Sequence, residues 1–122
     1  MDFIPYKAHE CFDYLYYPIP MELFFNKKYK GKIKSAGKLL YGFLLNRLSL
    51  SAKNNWVDEN GDIFLIFTRK EVQERLDLSD KTVTKAFKQL KDCKLIHEKR
   101  QGANKPNLIY VGKTVSYTHL TL

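Results

Sequence analysis

The stretch Asp80–Cys93 carries two contrasting faces when its residues are placed at helical spacing. One face is an apolar stripe, which should be buried: Val83, Ala86, Phe87 and Leu90. The other face carries lysines and short polar side chains: Lys81, Thr82, Thr84, Lys85, Lys88 and Gln89. Lysine neutralises phosphate charge, and lysine, threonine and glutamine can also hydrogen-bond to base edges in the major groove. This pattern indicates a helix that contacts duplex DNA.

A plainer interpretation is that this face is only solvated, because many surface helices are rich in lysine. An ordinary solvated helix mixes in acids four residues from its bases, as Glu71 and Arg75 do earlier in the chain. Here Asp92 is the only acid that helical spacing places on the face of the lysines. The charge of this face therefore favours DNA contact over simple solvation.

A second, shorter helix precedes this one. Thr68 and Glu71 have the spacing of a capping box, which predicts that a helix begins at Thr68. The break at Asp77-Leu78 ends that helix, and Ser79 is the predicted N-cap of the next. Two short helices joined by a three-residue turn are typical of a helix-turn-helix.

A basic hairpin follows the helix pair. The pattern predicts a strand over 95–100, a loop over 101–107 and a returning strand over 108–111. Its tip region carries positive and amide side chains: Lys99, Arg100, Gln101, Asn104 and Lys105. In a winged helix such a hairpin is called the wing, and it lies along the DNA backbone or reaches the adjacent minor groove. Hairpin tips are polar in most proteins, so the hairpin alone is weak evidence for DNA binding and supports it only together with the helix pair.

The elements ahead of the helix pair complete a fold prediction. Ser35 is the expected N-cap of a buried central helix that runs to about Leu50. A tight hairpin turning at Asn60-Gly61 follows, and its second strand over 63–67 should pair with the wing strands. The fold class is therefore α+β, a winged helix-turn-helix with a three-helix core, a small antiparallel sheet and an N-terminal extension.

The chain of 122 residues is expected to form one domain over 1–113. Within it, 1–34 is the aromatic and basic extension and 35–113 the winged-helix core. Residues 114–122 show no packing signal and are expected to be a disordered tail or linker.

The beginning of the chain is rich in aromatic side chains, and its last part, 21–25, is expected to form a short helix. Its eight rings are Phe3, Tyr6, Phe12, Tyr14, Tyr16, Tyr17, Phe24 and Phe25. Stacking on single-stranded bases is disfavoured because this segment is net acidic. The rings are expected to fill the core or to form a subunit interface.

The net charge of +8 is unevenly distributed. Residues 1–25, 26–54, 55–80 and 81–122 carry net charges of −3, +8, −4 and +7. The second basic block is centred on Lys27–Lys38, and it could follow the DNA backbone or be a solvated loop. Docking on a membrane is not expected, because the basic residues do not share a helix with a broad apolar face.

The sequence contains none of the common motifs of a catalytic site or of a cofactor-binding site. It contains no phosphate-binding loop, no HExxH and no CxxC, and its acids do not cluster in a way that predicts a two-metal nuclease site. Cys11 and Cys93 lack metal-site spacing; Cys93 is expected to be a small apolar filler and His97 a cross-strand partner. Because its start shows no signal-peptide pattern, the protein is expected to be cytoplasmic and its cysteines reduced. Because it lacks the motifs named above, it is expected not to be an enzyme and to bind no metal or cofactor.

Three phrases together resemble a known family: YYPIPMELF, KLLYGFLLNRLSLSAKNNWVDENGDIFLIFT and KRQGANKPNLIYV. In this order and spacing they are similar to the N-terminal domain of the plasmid replication initiator protein A family of Gram-positive bacteria. The resemblance runs from about Tyr16 to Val111. GKIKSAG is more basic and richer in glycine than that pattern, and Thr114–Leu122 has no counterpart in it.

The resemblance implies a winged-helix domain that binds repeated sites at a plasmid replication origin, commonly as a homodimer. It also implies a separate C-terminal domain that recruits host replication proteins. It assigns the wing role to Lys99, Arg100, Gln101, Asn104 and Lys105, and the recognition-helix role to Thr82, Thr84, Lys85 and Lys88. Two alternatives remain: a regulator of the same fold that binds an operator, and a winged helix that binds a protein partner through its aromatic segment.

Overall fold

The computed structural model describes residues 3–10 and 15–114. The predictions for Cys11, Phe12, Tyr14 and the tail from residue 115 onward lie outside the described residues. In chain order the elements are α1 (Glu22–Phe25), α2 (Ser35–Lys53), β1 (Leu65–Ile66), α3 (Arg69–Leu76), α4 (Asp80–Asp92), β2 (Ile96–Lys99) and β3 (Leu108–Val111). This is a winged helix preceded by an N-terminal extension.

Local capping sets the ends of α3 and α4, as the sequence predicts. The Thr68 hydroxyl accepts a hydrogen bond from the Glu71 N–H at 3.1 Å, and the Glu71 carboxylate accepts one from the Thr68 N–H at 2.9 Å. Asp77 ends α3 in the left-handed conformation, at φ 55°. The Ser79 hydroxyl then accepts from the Thr82 N–H at 3.3 Å and starts α4. The helix-turn-helix is confirmed.

The start of α2 differs from the prediction. Ser35 is the first helical residue rather than the N-cap, and Lys34 occupies the N-cap position without a side-chain cap of its own. The Lys34 N–H instead donates to Oε1 of Gln89 at 2.9 Å, so a side chain from α4 satisfies it. The helix also runs to Lys53, three residues beyond the predicted end.

The sheet is antiparallel, with β3 between β1 and β2. Leu65 of β1 faces Ile109, and Glu98 of β2 faces the same residue from the other side. The predicted pairing of the strand before Thr68 with the wing strands is therefore confirmed. His97 faces Tyr110, as expected of a cross-strand partner, with ring centroids 6.3 Å apart.

The core lies between α2, α4 and the sheet. Its fully buried side chains include Leu40, Tyr41, Phe43, Leu44, Phe87, Leu90 and Ile109. Cys93 is buried in the same cluster, as predicted. Five consecutive residues of α2, Leu40–Leu44, are buried, so the middle of this helix is enclosed over most of its circumference. The prediction of a buried central helix is confirmed, although Leu39 and Leu50 are exposed.

Tyr41 joins the central helix to the end of the sheet. Its hydroxyl donates to the carbonyl oxygen of Gly112 at 2.6 Å. Burial, with the nearby Tyr29 and Glu22, raises the pKa of Tyr41 to about 12. The hydroxyl therefore stays protonated and keeps donating at any physiological pH.

The described aromatic side chains of residues 3–25 do not fill the core. Phe3, Tyr6, Tyr16, Tyr17, Phe24 and Phe25 are all exposed, Phe3 by 71% and Tyr16 by 69%. Tyr17 makes an edge contact with Phe43, at 5.6 Å between ring centroids. The core is instead completed by Leu23, Tyr29 and Ile33. Core filling was thus the wrong expectation for the described rings, while the subunit interface stays a prediction.

Among the described residues, no helix combines the length and the apolar character that crossing a bilayer requires.

Candidate nucleic-acid interface

The outward face of α4 carries the lysines that the sequence places there. Lys81, Lys85 and Lys88 are exposed, and so is Thr84. The apolar stripe Val83, Ala86, Phe87 and Leu90 is buried on the opposite side. Because burial fixes which side of the helix faces outward, the positive side chains are presented together to solvent.

Two of the predicted contact residues on α4 also bond within the helix. The Thr82 hydroxyl oxygen accepts from the Ser79 hydroxyl at 2.9 Å, which leaves the Thr82 hydroxyl proton free to donate. Lys88 pairs with Asp92 at 3.0 Å on a well-exposed surface. Such a pair contributes only about 0.3–0.5 kcal/mol, so a phosphate can compete with Asp92 for this lysine.

Gln89 lies at one edge of the outward face and has a structural role. It is half-buried, and its Oε1 atom accepts the hydrogen bond from the Lys34 N–H. A Cβ atom at Gly37 would lie 3.0 Å from this oxygen and 2.8 Å from Cγ2 of Ile33, so a glycine permits the approach of α2 to α4. Whether the Gln89 amide nitrogen reaches DNA stays a prediction.

The wing places five predicted residues together at one end of the sheet. Lys99, Arg100, Gln101, Asn104 and Lys105 are all exposed. Gln101 Nε2 donates to the Pro106 carbonyl oxygen at 2.7 Å and closes the loop across its base. Gly102 has φ 125°, where a side chain would be strained, and Asn104 is left-handed at φ 63°. The loop therefore has a defined shape.

A buried carboxylate ties the wing to both helices. Glu98 accepts two hydrogen bonds from the Arg69 guanidinium, at 2.9 and 3.1 Å, and its Oε1 atom also lies 3.0 Å from Lys91 Nζ. Its side chain is only 7% exposed. Burial opposes ionisation of Glu98, but the hydrogen bonds and charges of Arg69 and Lys91 outweigh it and hold its pKa below the usual value. The Arg69 guanidinium also stacks on the Phe87 ring, 3.5 Å from its centroid.

We expect Glu98→Gln to reduce the free energy of unfolding by about 1–2 kcal/mol near neutral pH, because the amide forms weaker bonds with Arg69 and Lys91. The pKa of Glu98 is lowered by folding, so its contribution is present above the unfolded value of about 4.3 and is lost as pH falls through the folded value. The difference in the free energy of unfolding between Glu98→Gln and the wild-type protein should therefore become smaller as the pH falls from neutral to acid values. Urea unfolding across this pH range measures it.

Glu74→Gln is the matched control, since Glu74 is an exposed carboxylate on α3. It should change stability by less than about 0.5 kcal/mol. If the loss of unfolding free energy caused by Glu98→Gln were the same at acid and at neutral pH, an ionised Glu98 bound to Arg69 and Lys91 would be contradicted.

Sequence reasoning overlooked Arg69, Lys91 and Glu98. One signal was available: Glu98 is the only acid between Cys93 and Lys113, inside an otherwise basic hairpin. A lone carboxylate among cations suggests a specific partner. Its two partners lie 29 and 7 residues away, and only the fold brings them together. In the described part of the chain, no three His, Cys, Asp or Glu side chains are grouped to hold a metal ion.

Comparison with known proteins gives a family match over most of the chain. Residues 15–120 match the family model described as the N-terminus of replication initiator protein A. A protein of Lactobacillus helveticus called "41 kDa protein" is 29% identical over 112 residues. That alignment covers 87% of this chain and 31% of the relative, so the chain spans about a third of the length of that protein.

Three solved structures share the fold. "N-Terminal domain of DNA binding protein" is 36% identical with a TM-score of 0.76, and 84% of this chain aligns with 77% of that one. "Structure of Rep-DNA complex" is 35% identical, also with a TM-score of 0.76, covering 84% of this chain and 78% of that one. "Structure of MDR initiator" is 34% identical with a TM-score of 0.73, covering 84% and 79%.

Proposed function

The chain belongs to the replication initiator protein A N-terminal family, and from that premise we propose that it binds duplex DNA sequence-specifically at repeated sites of a plasmid replication origin. The observation that carries this proposal is the exposed row of Lys81, Lys85 and Lys88, opposite a buried apolar stripe on α4. Its similarity to the protein in the Rep-DNA complex supports it.

In the proposed mechanism α4 enters the major groove, where Lys85 and Lys88 meet phosphates or base edges and Thr84 reaches bases. The wing, with Arg100 and Lys105 at its tip, contacts the flanking backbone or the minor groove. The Glu98 network holds wing and helices in one arrangement, so both basic elements can engage DNA without first being ordered.

The assembly is also part of the proposal. A second copy would occupy a neighbouring site about one helical turn, or ~34 Å, away. The exposed rings of the extension, such as Phe3 and Tyr16, suit a subunit interface between the copies. Host replication proteins would be recruited by a region beyond this domain. The domain itself is proposed to be non-enzymatic and to need no cofactor.

Selection of bound duplexes from a randomised pool, followed by footprinting on plasmid DNA at physiological salt, tests this function. We expect protection of tandem repeats. With roughly six phosphate contacts, log K should fall against log salt with a slope of about −5.

Three other results would contradict the proposed function or favour an alternative to it. A single inverted repeat beside a promoter would indicate an operator-binding regulator. A slope near zero on the best duplex would contradict phosphate contact. No DNA affinity at all would favour a module that binds another protein.

A further inference from the structure

A second basic element lies against α4. We call residues 26–34 the basic turn; its exposed side chains include Lys27, Lys28, Lys30, Lys32 and Lys34. The stretch 26–54 contains no acidic residue. The turn is ordered by its own backbone, since the Tyr29 and Lys30 N–H groups both donate to the Asn26 carbonyl oxygen, at 2.9 and 2.8 Å.

Two buried side chains fix the position of the basic turn. Tyr29 and Ile33 are both 1% exposed and belong to the main core. Two polar contacts then join the turn to α4: the Lys34 N–H donates to Gln89 at 2.9 Å, and the Cys93 thiol lies 3.9 Å from the Lys28 carbonyl oxygen. The lysines are therefore carried on a rigid element rather than on a loose loop.

The basic turn and the wing meet opposite edges of α4. The turn contacts α4 at Gln89 and Cys93, and the wing contacts it through the Lys91–Glu98 ion pair. At 3.6 residues per turn, Gln89 and Lys91 lie about 160° apart around the helix axis. Lys81, Lys85 and Lys88 occupy the sector between these two edges. The three basic elements thus lie side by side, with the outward face of α4 in the middle.

Duplex DNA has the matching layout. A helix of about 10–12 Å diameter fills a major groove about 12 Å wide, and a phosphate backbone borders that groove on each side. An element on each edge of such a helix meets one of the two backbones. Asp92 is the single acid among the residues that line the concavity between the turn and α4. Lys28, Lys32 and Lys94 line the same concavity and leave it positive.

We propose that the basic turn is a second phosphate-binding element, which contacts the backbone on the side of the major groove opposite the wing. This inference rests on the proposed function of α4. Lys38 takes no part, because its ammonium group donates to the Ile33 carbonyl oxygen at 2.8 Å and lies over the Phe24 ring. The turn thereby extends the bound site by contacts that do not depend on base sequence.

The triple variant Lys27→Gln, Lys30→Gln and Lys32→Gln tests this inference, with Lys7→Gln, Lys53→Gln and Lys113→Gln as its control. All six lysines are exposed, so each triple removes the same charge without disturbing the core. Both are titrated at several salt concentrations with the duplex that the wild-type protein selects from a randomised pool. A third variant, Lys27→Arg, Lys30→Arg and Lys32→Arg, tests whether positive charge is sufficient for binding.

We expect the turn variant to bind at least about tenfold more weakly than the control at physiological salt. Its salt slope should be less steep by about 2–3, since each lost phosphate contact removes about 0.9. Hydroxyl-radical footprinting should show lost protection on one backbone only, with the wing side kept. The arginine variant should bind as the wild type does.

Equal affinity and equal slope for the turn variant and the control would overturn this inference alone, provided that Lys85→Ala still weakens binding. Absence of salt-dependent binding by the wild-type protein would instead overturn the proposed function, and this inference with it. A uniform loss of protection on both backbones would also contradict a contact confined to one side.

Discussion

The triple variant Lys81→Ala, Lys85→Ala and Lys88→Ala is expected to bind its selected duplex at least about 100-fold more weakly than the wild-type protein. These lysines form the central row of the proposed interface, and all three are exposed. A lost base contact costs about 1–3 kcal/mol, and each 1.4 kcal/mol is a tenfold change in affinity. Fluorescence anisotropy titration over a range of salt concentrations measures the loss.

The single variants separate the two kinds of contact. If Lys85 meets a base, Lys85→Ala should relax specificity at one position of the site. If it meets a phosphate, binding to all duplexes should weaken alike and the salt slope should change by about one. The control with alanine at Lys7, Lys53 and Lys113 loses the same charge and should bind nearly as the wild type does. Unchanged binding by Lys85→Ala, Lys88→Ala and Arg100→Ala together would show that another surface binds DNA.

Phe87→Ala is expected to lower the free energy of unfolding by about 3–5 kcal/mol. Phe87 is fully buried on α4, and the Arg69 guanidinium covers its ring. Truncation removes buried apolar surface, leaves a cavity and takes away the face on which Arg69 stacks. Domains of this kind are stable by only about 5–15 kcal/mol, so a large part of the total would be lost. Chemical denaturation measures the change.

Phe25→Ala is the matched control for this variant, since Phe25 is 63% exposed. It should change stability by less than about 0.5 kcal/mol in the isolated domain. A Phe87→Ala loss below about 1 kcal/mol would contradict the described packing of α4.

Elements fixed by short-range patterns were predictable from the sequence. Thr68 and Glu71 satisfy each other's backbone within one turn, and Ser79 caps α4 three residues from its partner, so neither needs tertiary information. The run of apolar and aromatic residues Leu108–Val111, which follows a loop containing Gly102 and Pro106, likewise marked β3 with its observed bounds. The buried stripe on α4 followed from spacing alone.

Features that depend on distant partners could not be predicted in this way. Ser35 resembled an N-cap, but the N-cap is Lys34, and its N–H donates to the side chain of Gln89, 55 residues further along the chain. The same contact gives Gln89 a structural role in addition to its predicted one. The rings of residues 3–25 matched core residues by type, yet the buried side chains ahead of α2 are Leu23, Tyr29 and Ile33. Residue type does not reveal which of several apolar groups occupies a limited volume.

The position of β3 between β1 and β2 has a mechanical consequence. The returning strand of the wing cannot swing as an edge flap, because doing so would break main-chain hydrogen bonds with both neighbours. β1 leads through Phe67 directly to Thr68, the N-cap of α3. A force applied at the tip of the hairpin is therefore transmitted through the middle of the sheet to the start of the helix pair, and the hairpin and the helices should move together as one rigid body.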